Sequence, residues 1–176
     1  MMPSGTPIIT DRSTEPKAKS ALIGKQIVIA TGSNARALPG APFDEENILS
    51  NDGALRVEAV PKKLGLIGSG VIGLEMGSVW RRLGAEVTML EALPTFLGAV
   101  DEQIAKEAHK AFIKQGLKIE LGVKVGEIKT GQKGAHSQVT VAYANAKGEA
   151  LTLEVDKLVI SIGRVANTIG LAPEAV

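Results

Sequence analysis

The sequence predicts a three-layer α/β fold that contains a parallel β-sheet and an antiparallel β-meander. The first observation is a short apolar run at 64–67, which breaks at a glycine cluster and is followed by apolar residues at helical spacing. The second is the apolar run at 158–162, which is typical of a strand buried in a parallel sheet. The third is the alternation of apolar and polar residues between 117 and 155, which predicts further strands and a hairpin.

The amino-terminal part of the chain is expected to lie outside the main sheet. Residues 1–21 are polar and show no lasting periodicity, so they predict a loop or a frayed hairpin. The apolar run at 25–30 predicts a buried strand that stops at Thr31-Gly32-Ser33. A buried strand needs a neighbour on each side, and the main strand–helix–strand unit begins only at residue 64. We therefore expect the strand at 25–30 to belong to a different sheet.

The glycine cluster has the spacing Gly68-x-Gly70-x-x-Gly73 and separates a predicted strand from a predicted helix. Apolar residues at helical spacing in this helix are Ile72, Met76, Val79 and Leu83. A second strand follows at 87–90. In dinucleotide-binding folds the first glycine makes the tight turn, the second lets the backbone approach a pyrophosphate, and the third permits close helix–sheet packing, here together with Gly77. The free N–H groups at the start of the helix would then bind phosphates.

Glu91 ends the second strand, about 20 residues beyond the glycine cluster, as the dinucleotide fingerprint requires. A carboxylate at this place accepts hydrogen bonds from the adenosine ribose and repels a 2′-phosphate, which favours NAD(H) over NADP(H). The alternative is an ordinary βαβ unit with a glycine-rich corner, in which Glu91 is a solvated residue at a strand end. Glu75, in the first turn of the helix, either points toward the mouth of the nucleotide site or stabilises the helix dipole.

The other predicted elements complete the sheet and its connections. Ser50 is a candidate cap for a short helical turn, and a second long helix is predicted to begin at Asp101 and end at Gly116. Strands are predicted at 117–121, 123–128, 139–143 and 151–155, with a turn at 145–148. The loop at 93–98 follows the carboxyl end of a strand, where ligands bind in open α/β sheets.

Composition excludes several classes of function. The 20 lysine and arginine residues nearly balance 19 aspartate and glutamate residues, so bulk charge indicates neither a nucleic-acid partner nor an anionic membrane. There is no cysteine, which excludes disulfides, thiolate nucleophiles and thiolate metal sites from these residues. No apolar run approaches the roughly 18 residues of a membrane span. We expect a cytoplasmic or organelle-matrix protein without membrane contact.

The sequence gives little indication of a catalytic triad, a metal site or an aromatic stacking surface. His109 and His136 have no aspartate or serine at a spacing that indicates a catalytic triad, and both are expected to be surface histidines. The acidic residues are expected to lie at helix starts or in loops rather than to bind a metal. The aromatic residues Trp80, Phe112 and Tyr143 are expected to pack in or near the core.

Several segments together resemble a known family, the disulfide flavoprotein reductases, and within it the dihydrolipoamide dehydrogenases. These segments are Ile-Ala-Thr-Gly-Ser at 29–33, Leu-Pro-Gly at 38–40, Gly-Ser-Gly-Val-Ile-Gly-Leu-Glu at 68–75, Trp-Arg-Arg-Leu-Gly-Ala-Glu-Val-Thr-Met-Leu-Glu at 80–91 and Ser-Ile-Gly-Arg at 161–164. The resemblance covers residues 25–171. It implies a Rossmann-like NAD-binding domain inserted into an FAD domain.

The resemblance also implies individual roles for residues. Gly68 to Gly73 would hold the pyrophosphate and Glu91 the adenosine ribose, while Val125 would line the adenine and Gly163 would lie near the nicotinamide. By the same resemblance, Val71 covers the flavin ring and Glu75 pairs with a lysine beside it. The complete set of implied cofactor-binding residues is Thr31, Gly32, Gly68, Ser69, Gly70, Val71, Ile72, Gly73, Leu74, Glu75, Glu91, Val125 and Gly163.

The resemblance implies three segments: 1–40 as a remnant of the FAD-domain tail with a crossover strand, 41–163 as the NAD-binding domain, and 164–176 as the crossover back. The family's FAD glycine motif, its CxxxxC disulfide and its dimerisation domain with a His-Glu pair do not occur in these residues. Ala166 and Ile169 depart from the family pattern, which usually has proline and often an acidic residue there. The chain is thus expected to bind and orient NAD without catalytic residues of its own.

The parent enzyme implied by the resemblance oxidises dihydrolipoamide through a disulfide and FAD, reduces NAD⁺, and serves a 2-oxoacid dehydrogenase complex. Two alternatives remain open at this point. One is the NAD domain of a related flavoprotein reductase of the ferredoxin, nitrite or mercuric reductase type. The other is a non-enzymatic module that senses NAD.

Overall fold

The computed structural model describes residues 25–26, 28–133 and 136–171, and it divides the chain into two compact units. Ser33–Ala166 form one unit, and the described residues on either side of it belong to the other. The loop predicted at 1–21 lies outside the described residues. In chain order the elements are β1 (Ser33–Ala35), β2 (Ile48–Leu49), α1 (Asn51–Ala54), β3 (Lys63–Ile67), α2 (Val71–Arg82), β4 (Glu86–Glu91), α3 (Glu102–Lys114), β5 (Lys118–Leu121), β6 (Lys124–Lys133), β7 (His136–Ala144), β8 (Ala150–Val155), β9 (Lys157–Ile160) and β10 (Arg164–Ala166).

A five-stranded parallel sheet forms the middle layer of the Ser33–Ala166 unit. Its strand order is β2-β9-β3-β4-β5, and every neighbouring pair is parallel. The central strands β3, β4 and β9 are buried over almost their whole length, which explains why their sequences are apolar on both faces. The fold class predicted from the sequence is confirmed.

Two apolar clusters cover the two faces of the parallel sheet. On one face, Ile67, Leu90 and Ile160 pack with Val141 and Tyr143 of the antiparallel sheet β6-β7-β8. On the other face, sheet residues pack against the two long helices, with Leu74 and Trp80 from α2 and Phe112 from α3. The three layers are therefore meander, parallel sheet and helices.

Gly73 and Gly77 of α2 are buried, as predicted, whereas some of the apolar residues at helical spacing are exposed. Gly73, Leu74, Gly77 and Trp80 are buried, whereas Val79 and Leu83 are 47% and 56% exposed. The helix lies close to the layer beneath it: a Cβ added to Gly73 would overlap the carbonyl oxygen of Gly68, and one added to Gly77 would be in van der Waals contact with the Leu117 Cδ2 and Met89 Sδ atoms at 3.4 Å. The helix thus contacts the sheet through its glycines, and the apolar side chains of Val79 and Leu83 face outward.

The apolar run at 25–30 does not form the predicted strand in the part that the structure describes. Residues 28–30 have no regular structure, and the side chains of Val28 and Ile29 are 88% and 62% exposed. An apolar run forms a buried strand only where neighbouring strands are present to pair with it. Instead, β1 begins at Ser33 and pairs antiparallel with β10, in the register Ser33–Ala166 and Ala35–Arg164. The short strands β1, β2 and β10 had no clear sequence signal.

The helix ends follow the sequence signals. Ser50 accepts hydrogen bonds from the N–H groups of Asp52 and Gly53 at the start of α1, and Asp101 caps α3 in the same way. Gly84 and Gly116 follow α2 and α3 with φ values of 111° and 92°, which glycine adopts readily. Among the described residues, no helix is long and apolar enough to cross a membrane.

Tyr143 connects the meander to the edge of the parallel sheet. Its side chain is buried, and its hydroxyl donates a hydrogen bond to Glu120 Oε1 at 3.0 Å. Burial raises the pKa of Tyr143 above its ordinary value near 10.0, and the hydrogen bond to Glu120 and the charge of Glu120 raise it further. The stabilisation from the neutral phenol is present below the unfolded-state pKa and is lost as the pH rises through the higher folded-state pKa.

Replacing Tyr143 with phenylalanine should therefore lower the free energy of unfolding by about 1 kcal/mol near neutral pH, the net value of one hydrogen bond. The variant should also lose less stability than the wild type when the pH is raised above 10, because it has no phenol to ionise. Urea denaturation of both proteins at neutral and alkaline pH measures the two effects. Equal losses of stability at alkaline pH would show that another group is responsible.

Candidate cofactor-binding site

A cavity of about 740 Å³ lies at the carboxyl ends of the central parallel strands. The turns after β3, β4 and β9 and the beginning of β6 contribute its walls. This is the edge at which ligands bind in open α/β sheets. The lining residues that the sequence had indicated are Gly68, Gly70, Val71, Ile72, Glu91, Val125 and Gly163.

Gly68 makes the tight turn directly after β3. Its φ is 101°, and an added Cβ would lie 2.5 Å from the carbonyl oxygen of Ser161. The Gly68 N–H donates to the carbonyl of Leu90 on the neighbouring strand at 2.9 Å. Both the backbone conformation and the lack of space require glycine here, and the chain can then turn directly into the helix.

Gly70 presents open space at the start of α2. It is the N-cap residue of α2, with extended φ and ψ of −70° and 177°, and no side chain of its own caps the helix. An added Cβ would have no atom within 4 Å. Because the first N–H groups of a helix have no partner within the helix, they are available to an anion in the cavity.

Gly73 lies in the first turn of α2 and packs against the backbone of the glycine turn. An added Cβ would overlap the carbonyl oxygen of Gly68 and lie 2.6 Å from the Ser161 Oγ atom. This residue therefore has a different task from Gly70: it allows the first turn of the helix to rest on the glycine turn and on the end of β9. Its role is in packing, as the spacing had predicted.

Glu91, at the end of β4, lines the cavity and is held by backbone and side-chain donors. Its Oε2 atom accepts hydrogen bonds from the Ser69 N–H at 2.7 Å and from the Ser69 hydroxyl at 3.1 Å. Its Oε1 atom accepts one from the Leu93 N–H at 2.9 Å. The carboxylate is thus fixed beside the glycine turn, within the same cavity as the start of α2.

Of the other predicted site residues, some line the cavity and others do not. Val71 is 62% exposed at its rim, and Val125 and Gly163 line its walls. Leu74 is buried between α2 and the sheet, and Glu75 is exposed; neither lines the cavity. Thr31 and Gly32 belong to the other compact unit, in which the Thr31 hydroxyl donates to the Asn167 carbonyl at 2.6 Å.

Ser161 is a cavity residue that the sequence did not single out. Its hydroxyl lies 3.3 Å and 3.2 Å from the carbonyl oxygens of Ile67 and Gly68, so it joins the ends of β9 and β3. Leu93, in the loop predicted to follow the carboxyl end of a strand, also lines the cavity. Further lining residues that the sequence had not indicated are Leu38, Asn51, Ile67, Ala92, Val123, Lys124, Ile160 and Ile162. Most of them lie just after a strand or at the start of the next, a signal that the strand-end rule could have used.

Arg164 fixes the wall formed by Asn51 and Gly163. Its Nε atom donates to the Ser33 hydroxyl at 2.7 Å, and its Nη1 atom donates to Asn51 Oδ1 at 3.0 Å. The N–H of Arg36 donates to the Gly163 carbonyl at 3.0 Å. Ala166 pairs with Ser33 at the end of the antiparallel pair of β1 and β10.

His109 is not the surface histidine that was expected. It is half-buried on α3, its ring centroid lies 4.8 Å from that of Phe96, and its Nε2 atom is buried with no hydrogen-bond partner among the described residues. The side chain of His136 lies outside the described residues. No group of three or more histidine, aspartate or glutamate side chains in the described ranges could hold a metal ion.

Comparisons with known proteins agree with the resemblance. The family model for pyridine nucleotide-disulphide oxidoreductases matches residues 4–176. The chain is 58% identical over 159 residues to a dihydrolipoyl dehydrogenase of Cupriavidus necator and 46% identical over 152 residues to a mitochondrial dihydrolipoyl dehydrogenase of Dictyostelium discoideum. These alignments cover 90% and 86% of this chain but 33% and 31% of the relatives, so the chain spans about a third of their length.

Solved structures give the same result. The crystal structure of LpdA from Mycobacterium tuberculosis matches with a TM-score of 0.72 and 28% identity, over 90% of this chain and 33% of that one. The HOCl-induced flavoprotein disulfide reductase RclA from Escherichia coli matches with a TM-score of 0.69 and 30% identity, over 89% of this chain and 34% of that one. This chain belongs to the pyridine nucleotide-disulphide oxidoreductase family.

Proposed function

We propose that this chain is the NAD(H)-binding part of a dihydrolipoamide dehydrogenase. The observation that carries the proposal is that open space in front of Gly70, at the start of α2, shares one cavity with the carboxylate of Glu91. The open space at Gly70 gives a pyrophosphate access to unpaired N–H groups. The carboxylate of Glu91 gives a ribose a hydrogen-bond acceptor at the end of the neighbouring strand. The residues present fit a dinucleotide.

The lining residues suggest how the cofactor is held. The N–H groups at the start of α2 bind the pyrophosphate, and Glu91 accepts a hydrogen bond from the adenosine ribose. Val123, Val125 and Leu93 give the cavity apolar walls against which a base can pack. Gly163 is a position where a cofactor ring can approach the backbone, since an added Cβ would meet no atom within 4 Å. Bound NAD⁺ supplies the hydride acceptor, and this chain supplies its binding and orientation.

The reaction itself is assigned to the complete enzyme. We propose that the parent oxidises dihydrolipoamide through a disulfide and FAD and reduces NAD⁺, as a soluble cytoplasmic component of a 2-oxoacid dehydrogenase complex. The 58% identity to a dihydrolipoyl dehydrogenase supports this proposal. On this view, residues 41–163 are the NAD-binding domain, Thr31 and Gly32 lie at one crossing to the FAD domain, and 164–176 lead back to it. Dimerisation and FAD binding then belong to other parts of the parent.

The 176-residue chain should bind NADH at least tenfold more tightly than NADPH. Two like charges 4 Å apart repel by about 4 kcal/mol at an effective dielectric constant of 20, before screening by salt. Fluorescence titration with each cofactor measures the two dissociation constants. Glu91→Gln should bring them close to equality, because the variant keeps the side-chain shape and loses the negative charge.

Glu107→Gln is the matched control. Glu107 is exposed on α3, where it pairs with Lys110 at 2.7 Å, and it does not line the cavity. This variant removes the same charge and should leave the preference for NADH unchanged. A wild-type chain that bound NADPH as tightly as NADH would contradict the assignment of Glu91 to the ribose.

A further inference from the structure

We propose that Ser69 is a positioning residue that holds the Glu91 carboxylate and thereby sets the discrimination between NAD(H) and NADP(H). The proposal rests on the proposed function, because it concerns how the ribose acceptor is held. Ser69 is the residue between the first two glycines of the cluster. Its N–H and its hydroxyl both donate to one oxygen of Glu91, at 2.7 Å and 3.1 Å.

The number of acceptor positions on Glu91 makes this contact important. An ionised carboxylate offers about four acceptor positions, two on each oxygen. Ser69 occupies both positions on Oε2, and the Leu93 N–H occupies one on Oε1 at 2.9 Å. One position therefore remains for a ribose hydroxyl. Because the other three are taken, the carboxylate cannot turn without breaking a hydrogen bond.

Ser69 can affect a bound cofactor only through Glu91. Ser69 is 1% exposed and does not line the cavity, whereas Glu91 does. A 2′-phosphate at the ribose position meets a fixed negative charge that cannot move aside. Without the Ser69 hydroxyl, Oε2 is held by one backbone donor alone, so the carboxylate can turn away from the phosphate at a lower cost.

The test is a double-mutant cycle on the 176-residue chain with Ser69→Ala, Glu91→Gln and the double variant, each titrated with NADH and NADPH. We expect Ser69→Ala to reduce the ratio of the NADPH to the NADH dissociation constant by about three- to tenfold, which is less than the full effect of one hydrogen bond to a charged group because the Ser69 N–H still holds Oε2. In the Glu91→Gln background, Ser69→Ala should change the ratio by less than about twofold. The ratio does not depend on the folded fraction, because both titrations use the same preparation.

Ser78→Ala is the matched control, since the Ser78 hydroxyl donates to the Glu75 carbonyl on α2 and does not line the cavity. It should keep the wild-type ratio. Two outcomes overturn the role of Ser69 and leave the proposed function intact: a wild-type ratio in Ser69→Ala, or an equal effect of Ser69→Ala in both backgrounds. A wild-type chain that does not prefer NADH overturns the assignment of Glu91 and the role of Ser69 together.

Discussion

Replacing Gly70 with valine is expected to weaken NADH binding by at least about 100-fold while the fold stays intact. An added side chain at Gly70 enters the open space at the start of α2 and occupies the position proposed for the pyrophosphate. Two lost hydrogen bonds to a charged group correspond to about 3–6 kcal/mol, which is more than 100-fold in the dissociation constant. The fold should tolerate the change, because the φ and ψ of Gly70 are −70° and 177°, which valine adopts readily.

Gly131→Val is the matched control for this variant. Gly131 lies on β6, an added Cβ there also meets no atom within 4 Å, and the residue does not line the cavity. Both variants should unfold within a few degrees of the wild type, and only Gly70→Val should lose NADH binding. Normal binding by a well-folded Gly70→Val protein would show that the glycine turn is not the phosphate site.

Replacing Gly73 with alanine is expected to destabilise the fold by about 3 kcal/mol or more, the upper end of the range for overpacking. The added methyl group would overlap the carbonyl oxygen of Gly68 and lie 2.6 Å from Ser161 Oγ. Since the carbonyl belongs to the backbone of a tight turn, relief requires α2 to move away from the sheet. A loss of this size corresponds to a fall of roughly 10 °C in the melting temperature.

Gly77→Ala distinguishes this effect from a general intolerance of side chains on α2. An added Cβ at Gly77 lies 3.4 Å from its nearest neighbours, an ordinary van der Waals contact, and alanine favours a helix by up to about 1 kcal/mol over glycine. Circular dichroism melts should therefore place Gly77→Ala within about 1 kcal/mol of the wild type. A melting temperature for Gly73→Ala as high as that of Gly77→Ala would exclude the proposed close contact with the turn.

The strand–turn–helix–strand unit was predictable because its signals are local. The glycine spacing, the apolar strand before it and the acidic residue after it all lie within 64–91, and the structure forms β3, α2 and β4 there. The packing of Gly73 and Gly77 against the sheet was predicted from the glycine spacing, whereas the apolar spacing identified α2 as a helix without revealing how deeply each apolar residue is buried. The prediction of a buried strand at 25–30 was wrong, because an apolar run does not reveal whether partner strands are present.

In the candidate site, too, local sequence patterns were predictable, and contacts between residues far apart in the sequence were not. The sequence indicated Gly68, Gly70 and Glu91, and the structure brings them to one cavity. Ser161, although within a recognised segment, reaches the glycine turn from a strand almost 100 residues away, so only the order of strands in the sheet reveals its contact. The hydrogen bonds from Ser69 to Glu91 were likewise hidden, because they depend on the exact path of the turn after β3.

The most direct test of the central claim is a comparison of NADH and FAD binding by the purified 176-residue chain. The proposed function predicts a colourless preparation that binds NADH saturably, with one cofactor per chain, and does not retain FAD after gel filtration. The absorbance spectrum and a calorimetric titration with each cofactor measure both properties. A yellow preparation with a flavin spectrum, or saturable binding of FAD without binding of NADH, would contradict the assignment of this chain to the NAD(H)-binding part of the enzyme.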